Sequence, residues 1–282
     1  MIRGLYTGAS SMVVQMNKMD AISNNLANVD LVGYKRDQTA QKAFPELLLR
    51  RTMDDGVYKY PFGSIDVAPV VGKLGTGVEF NELYTIFEQG SLKETNNPYD
   101  LTLEGEGFFA IQTPDGERYT RNGTFTIDSN GILVTKEGFP VLGENGPINL
   151  KKNNFMIDQA GNIFHNAIYA DDPLRLVSME ENEWEQTELV DKLKIVDFPR
   201  ERYLKKIGNS MWQANDNSGE AFAADMGSKV KVLQGYLESS NVNSVTEMVD
   251  MIEVNRAYEA SQKVIQTQDN LASRFISDIM RA

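Results

Sequence analysis

Cysteine is absent from the 282 residues, which excludes disulfides, thiol catalysis, iron–sulfur clusters and cysteine-ligated zinc. Histidine occurs once, at His165; a Ser-His-Asp triad would have one candidate base and a metal no second imidazole. No run approaches the roughly 18 apolar residues of a membrane span. Membrane insertion is therefore not expected, and the 28 basic against 40 acidic side chains, a charge of −12, argue against nucleic acid or an anionic membrane as partner. A cleavable export signal is not expected either. Met1-Ile2-Arg3 leads into Gly4, Thr7, Gly8, Ser10 and Ser11 instead of an apolar core, so the expectation is cytoplasmic residence or export by another route.

What remains is an ordinary globular composition, 41% hydrophobic and 24% charged, long enough for two domains or one with extensions. Its charge is unevenly placed. Residues 1–50 hold six basic and four acidic side chains, and residues 229–282 hold six and seven, which leaves −13 for residues 51–228. Near-neutral ends can approach copies of themselves; an acidic middle favours solvent.

Both ends have helical periodicity. Leu5, Ala9, Met12, Met16, Met19, Ser23 and Leu26 recur at alternating spacings of four and three, one face of a helix expected to stop near Gly33. The face is rich in methionine, which adapts to irregular partners. Near the other end, Tyr258, Ile265, Ala272 and Ile279 recur every seven residues, beside Val254, Ser261, Gln268 and Phe275, and Ala257, Val264 and Leu271. Ser244 and Glu247 have capping-box spacing, and a helix of about 35–40 residues follows. Two heptad helices at opposite termini read best as one antiparallel pair that leaves seam for further subunits.

From 78 to 148, short runs of β-branched and aromatic residues (Phe108-Phe109-Ala110-Ile111, Arg118-Tyr119-Thr120, Phe125-Thr126-Ile127, Ile132-Leu133-Val134) alternate with turns at Gly116, Gly123, Gly131 and Gly138. Asp-Gly and Asn-Gly between such runs signal hairpins, so an antiparallel meander is expected; no room is left for parallel crossovers. Residues 149–228 continue in β fashion at Phe155-Met156-Ile157, Leu174-Arg175-Leu176-Val177 and Lys194-Ile195-Val196. Between the first helix and this body, Ala40 to Arg51 suggests a short helix and Asp54 to Gly77 a loop or extended arm.

Enzymatic motifs fail on context. Gly105-Glu106-Gly107-Phe108-Phe109-Ala110 has dinucleotide-fingerprint spacing, but an aromatic strand follows where a helix N-terminus must hold pyrophosphate. Gly72-Lys73 precedes Leu74, and Val67 stands where a phosphate loop needs glycine. Asp100, Glu104 and Glu106 could form the carboxylate pair of a carbohydrate-acting protein, and the same region could serve a carbohydrate-binding one; a solvated strand end is the plainer reading. The chain therefore offers no catalytic residue, cofactor site or metal site. What stands out is Ser23-Asn24-Asn25-Leu26-Ala27-Asn28: amides at a helix end either fray it or form a satisfied network that fixes register.

Ser23-Asn24-Asn25-Leu26-Ala27-Asn28-Val29 followed by Gly33-Tyr34-Lys35-Arg36 resembles the N-terminal signature of bacterial flagellar rod and hook proteins. The run Gly235-Tyr236-Leu237-Glu238-Ser239-Ser240-Asn241-Val242-Asn243, with Glu247-Met248-Val249-Asp250-Met251-Ile252-Glu253 and Arg256-Ala257-Tyr258-Glu259, is similar to the C-terminal one. Leu101 to Phe109, Tyr119 to Gly123 and Leu133-Val134 agree between them. Within the family, Gly138 to Ile148 resembles the proximal rod subunit that adjoins the distal rod, whereas Phe87 to Leu92 is shared with the distal rod protein. Residues 44–77 are longer than the proximal subunit suggests.

The resemblance implies an α+β chain whose N- and C-terminal helices pair as a coiled coil around a mainly antiparallel β middle. Its expected parts are 1–36 (N-terminal helix, rod core), 37–77 (irregular arm or insertion), 78–228 (β-rich outer domain) and 229–282 (C-terminal helix, rod core). It implies a structural, non-enzymatic subunit of the periplasm-spanning axial shaft, exported unfolded through the flagellar type III channel. Implied partners are copies of itself, neighbouring proximal and distal rod proteins and the export apparatus. The expected assembly contacts are Leu5, Met12, Met16, Met19, Asn24, Asn25, Leu26 and Asn28 on the first helix, and Val254, Tyr258, Ile265 and Phe275 on the last.

Overall fold

The computed structural model describes residues 2–50, 57–60, 63–66, 70–152, 154–166, 187–208, 210–225 and 229–281. The chain divides into two compact units: residues 1–24, 37–84 and 245–282 form the first, and residues 25–36 and 85–244 the second. Helices occupy both ends and the middle is mainly antiparallel β. None of the described helices is long and apolar enough to cross a membrane.

Helix α1 (Ile2–Ala27) is shorter than the expected stop near Gly33. The asparagine-rich end explains the difference, since Asn side chains compete for helical backbone bonds. Asn28–Gly33 instead make turns, with Asn28 N–H donating to the Asn25 carbonyl and Leu31 N–H to that of Asn28. Helix α2 (Ser244–Arg281) has the expected start and 38 residues, about 57 Å of helix.

The expected helix over Ala40–Arg51 is not formed. Asp37–Ala43 and Leu47–Arg50 are strands, and Pro45 between them disfavours helical geometry at Phe44. Leu47–Arg50 pairs antiparallel with Val70–Leu74, and Val57–Tyr60 with Gly63–Asp66. The described part of the expected loop or arm is thus a β ribbon.

The second unit is organised by a six-stranded antiparallel sheet, in the order Lys205–Lys206, Met211–Gln213, Gly116–Thr120, Phe108–Thr113, Ile195–Asp197, Phe222–Ala223. The Pro114-Asp115 turn joins its central hairpin, in which Thr113 opposes Gly116. Successive side chains of a strand point to opposite faces. Here Phe109 and Ile111 enter one core cluster, with Leu101, Leu133, Ile148 and Ile195, while Phe108 and Ala110 enter the other, with Tyr119, Val196, Leu204 and Trp212.

The expected simple meander is corrected in one respect. Phe125–Ile127 and Leu133–Thr135 form a two-stranded ladder outside the six-stranded sheet, because the chain leaves the sheet at Gly123. A Cβ there would lie 1.5 Å from the Leu101 carbonyl oxygen, and Leu101 N–H donates to the Gly123 carbonyl. The sheet is completed by strands 75 or more positions later in the chain. Residues 195–223 therefore finish the first sheet, whereas Met156–Ile157, Asn162–Asn166 and Thr187–Lys192 make a separate three-stranded one. The run Leu174 to Val177 lies outside the described residues.

Candidate functional site

Two constellations stand out, one on the terminal helices and one in the β body. On the helices, α1 meets α2 through small residues. A Cβ at Gly4 would touch the Gln268 side chain at 3.1 Å, and one at Gly8 would touch Ile265 Cγ1 at 2.9 Å. Ser11 Oγ and Ser261 Oγ are 3.1 Å apart. As the α1 numbers rise the α2 numbers fall, so the contact is antiparallel. The small-residue spacing 4, 8, 11 was legible in the sequence; the search for large apolar side chains passed over it.

The expected contact residues divide accordingly. Ile265 faces α1 at Gly8. Val254 is buried and Tyr258 half-buried. Leu5, Met12 and Met19 are half-buried, whereas Met16 and Phe275 are exposed. Asn25 is buried within the chain, where its Oδ1 accepts a hydrogen bond from the Tyr34 hydroxyl at 3.2 Å. Asn24 is exposed, and Leu26 and Asn28 are half-buried. Exposed apolar side chains also line the start of α2 at Val245, Met248, Val249 and Ile252, and its end at Leu271, Phe275, Ile276, Ile279 and Met280. Their spacing gives α2 apolar faces that its own chain leaves open.

The second constellation surrounds Glu238. Lys35 Nζ lies 2.6 Å from Glu238 Oε1, both side chains 1% exposed, and also donates to the Glu88 carbonyl at 2.7 Å. Gly90 N–H donates to the same carboxylate oxygen at 2.9 Å. Arg121 Nη1 stands 3.6 Å from Glu238 Oε2, an ion pair without a hydrogen bond, and the guanidinium lies 5.4 Å over the Phe108 ring. Backbone bonds close the same clasp: Gly33 N–H to the Glu238 carbonyl at 2.8 Å, and Arg36 N–H to Asn241 Oδ1 at 2.7 Å. Gly33 has φ +67° and its α-carbon faces the Arg121 carbonyl, a place for a residue without a side chain. The two signature runs that carry the family resemblance thus meet as one internal clasp. Pattern reading missed it because Lys35, Arg121 and Glu238 are far apart in sequence and each looks like an ordinary surface charge.

Burial pushes the Lys35 ammonium below its usual range, opposed by Glu238, and likewise lowers Arg121. Burial pushes Glu201 up to about 7, against the pull of Arg121 and with help from Asp197. At Glu201 the folded chain therefore holds more of a proton than the unfolded one between the ordinary carboxyl range and neutrality. Stability contributed by Glu201 is full at acid pH and falls as pH rises through about 7. The β body is expected to show a higher urea midpoint at pH 5.5 than at pH 8, with the difference reduced in Glu201→Gln. An unchanged difference in that variant would remove Glu201 from the account.

Features that resembled catalytic ones have structural employment. Gly105-Glu106-Gly107 runs into the strand Phe108–Thr113, and Glu104 ends a strand opposite Lys231. His165 sits half-buried in Asn162–Asn166, 3.7 Å from Glu188. A cavity of about 630 Å³ beside Tyr119 has its Lys194 bound to Glu117 at 2.8 Å. Burial and Glu117 push the Tyr119 hydroxyl up to about 12, so it stays protonated.

Comparison with known proteins gives three family matches in chain order. Residues 5–35 match "Flagella basal body rod protein", residues 102–165 "Flagellar hook protein FlgE/F/G D1 domain" and residues 233–279 "Flagellar basal body rod FlgEFG protein C-terminal". The flagellar basal-body rod protein FlgG of Borreliella burgdorferi is 34% identical over 275 residues, 96% of each chain. FlgG of Bacillus subtilis is 31% identical over 285 residues, covering 98% of this chain and 99% of its own. The flagellar hook-basal body complex protein FlhO of Bacillus subtilis is 32% identical over 294 residues, 99% of each chain.

Proposed function

The chain belongs to the flagellar basal-body rod protein family, and from that premise we propose how its residues build the rod. It is a structural subunit of the basal-body rod and not an enzyme. In our reading α1 and α2 pair as an antiparallel coiled coil through Gly4, Gly8, Ser11, Ser261, Ile265 and Gln268, and these pairs pack with those of neighbouring copies into the core of the shaft. Contacts between copies that do not close on themselves generate a helical filament, and such a filament carries torque along its axis.

The observation that carries this reading is the set of apolar α2 side chains left open to solvent. A free soluble monomer has no use for Phe275, Ile276 and Ile279 together on an exposed helix. The exposed Leu47, Leu48, Leu49, Val70 and Val71 of the β ribbon would add a further contact surface. Neighbours are rod proteins of the same family, the subunit reaches them through the flagellar export apparatus, and the shaft spans the periplasm. The run Gly138 to Ile148 favours the proximal position beside the distal rod, and the long 44–77 segment favours the distal one. Cross-linking the subunit to each neighbour in isolated basal bodies decides between them.

Phe275→Asp with Ile279→Asp places two charges on the open face. Assembly by sedimentation is expected to be lost while the melting transition of the β body stays within about 0.5 kcal/mol of the parent. Normal assembly of this double variant would refute the contact.

A further inference from the structure

The three most exposed of the described methionines all lie on the terminal helices: Met16 at 53%, Met248 at 51% and Met280 at 81%. The described methionines of the β body, Met156 and Met211, are half-buried, and Met211 packs on the larger core cluster. Each exposed thioether has apolar company. Met16 continues the α1 stripe of Leu5, Met12 and Met19. Met248 lies among Val245, Val249 and Ile252, and Met280 beside Ile276 and Ile279, all exposed.

We propose that Met16, Met248 and Met280 are oxidation sites that make assembly redox-sensitive, so that a chain oxidised by hydrogen peroxide no longer assembles until it is reduced. The inference rests on the reading of the helix faces as assembly surfaces. In the chemical step a sulfur lone pair attacks one peroxide oxygen and the O–O bond breaks. The sulfur keeps that oxygen as a sulfoxide, and the other oxygen leaves as water; sulfur is oxidised and peroxide reduced. The product is polar and chiral where the thioether was apolar and adaptable. In an apolar contact its S=O group has no donor to meet, and an unpartnered buried polar group weakens the contact. Assembly itself would cover these side chains, so the free subunit is the vulnerable species and the finished rod the protected one.

The test uses the full chain. Treatment with hydrogen peroxide is followed by peptide mass mapping of the added oxygen, and assembly is measured by sedimentation. Oxygen should appear first at Met16, Met248 and Met280, and the sedimentable fraction should fall about tenfold. Near-ultraviolet circular dichroism of the β body should not change. Incubation with methionine sulfoxide reductases of both epimer classes and dithiothreitol should restore assembly: each sulfoxide returns to thioether, its oxygen leaves as water and two thiols become a disulfide. In Met16→Leu with Met248→Leu and Met280→Leu, the ratio of treated to untreated assembly should stay within about twofold, because leucine keeps the volume without the sulfur. Treated wild type that assembles normally, a loss that persists in the leucine variant, or unfolding of the body by peroxide would each overturn the inference. Untreated wild type that fails to assemble under any condition would instead overturn the assembly reading on which it stands.

Discussion

Glu238→Ala is expected to destabilise the β body by about 3–5 kcal/mol, the cost of leaving buried charge without its partner. The carboxylate faces Lys35 Nζ at 2.6 Å and Arg121 Nη1 at 3.6 Å, and it accepts from Gly90 N–H. Removing it takes from two buried cations their nearest counter-charge and from a backbone donor its acceptor. The loss should appear as a lower urea midpoint read from the fluorescence of Trp212, which is fully buried near the same cluster. Glu104→Ala, at an exposed strand end, is the control and should stay within about 0.5 kcal/mol. Lys35→Met combined with Glu238→Leu should recover part of the loss, since only Arg121 then remains unpaired. Equal midpoints for Glu238→Ala and Glu104→Ala would show that the clasp does not hold the body.

The second large effect is expected at Gly8. Even the first atom of a side chain there would lie 2.9 Å from Ile265 Cγ1, so Gly8→Leu forces α1 and α2 apart at a cost of about 1–3 kcal/mol in overpacking. Leucine is also the better helix former by nearly 1 kcal/mol, so the helices themselves should survive. The absence of native cysteine gives a clean measurement. Ser11→Cys with Ser261→Cys replaces two hydroxyls that lie 3.1 Å apart, and a disulfide should form readily in the Gly8 background. Adding Gly8→Leu should suppress it and abolish assembly, while the clasp and the sheet keep their melting transition. Equal disulfide yield in both backgrounds would sink the small-residue contact.

These two sites differ in how far they could be read in advance. The heptad rows of Val254, Tyr258, Ile265 and Phe275 identified α2 and the Ser244–Glu247 capping-box spacing its start, because helical periodicity and capping are local and the periodicity repeats over many turns. The hairpin Phe108 to Thr120 was legible for the same reason, its Asp-Gly turn lying between alternating runs. Ala40 to Arg51 misled, since a short apolar run has no periodicity of its own and Pro45 outweighs it.

By itself, then, the sequence determined a non-thiol, acidic chain with helical ends, an antiparallel β middle and the signatures of a rod protein. Those are properties of composition and of neighbours within a few turns. Only the tertiary structure decided which α1 residues meet α2, which strands complete the sheet around Phe108, and that Lys35, Arg121 and Glu238 come together. These choices pair residues tens to hundreds of positions apart. They are settled by mutual burial and charge compensation, which no local pattern encodes: glycines at 4 and 8 look like helix breakers until Ile265 and Gln268 lie against them, and Glu238 looks like one more surface charge until it is the only carboxylate in contact with two buried cations among the described residues.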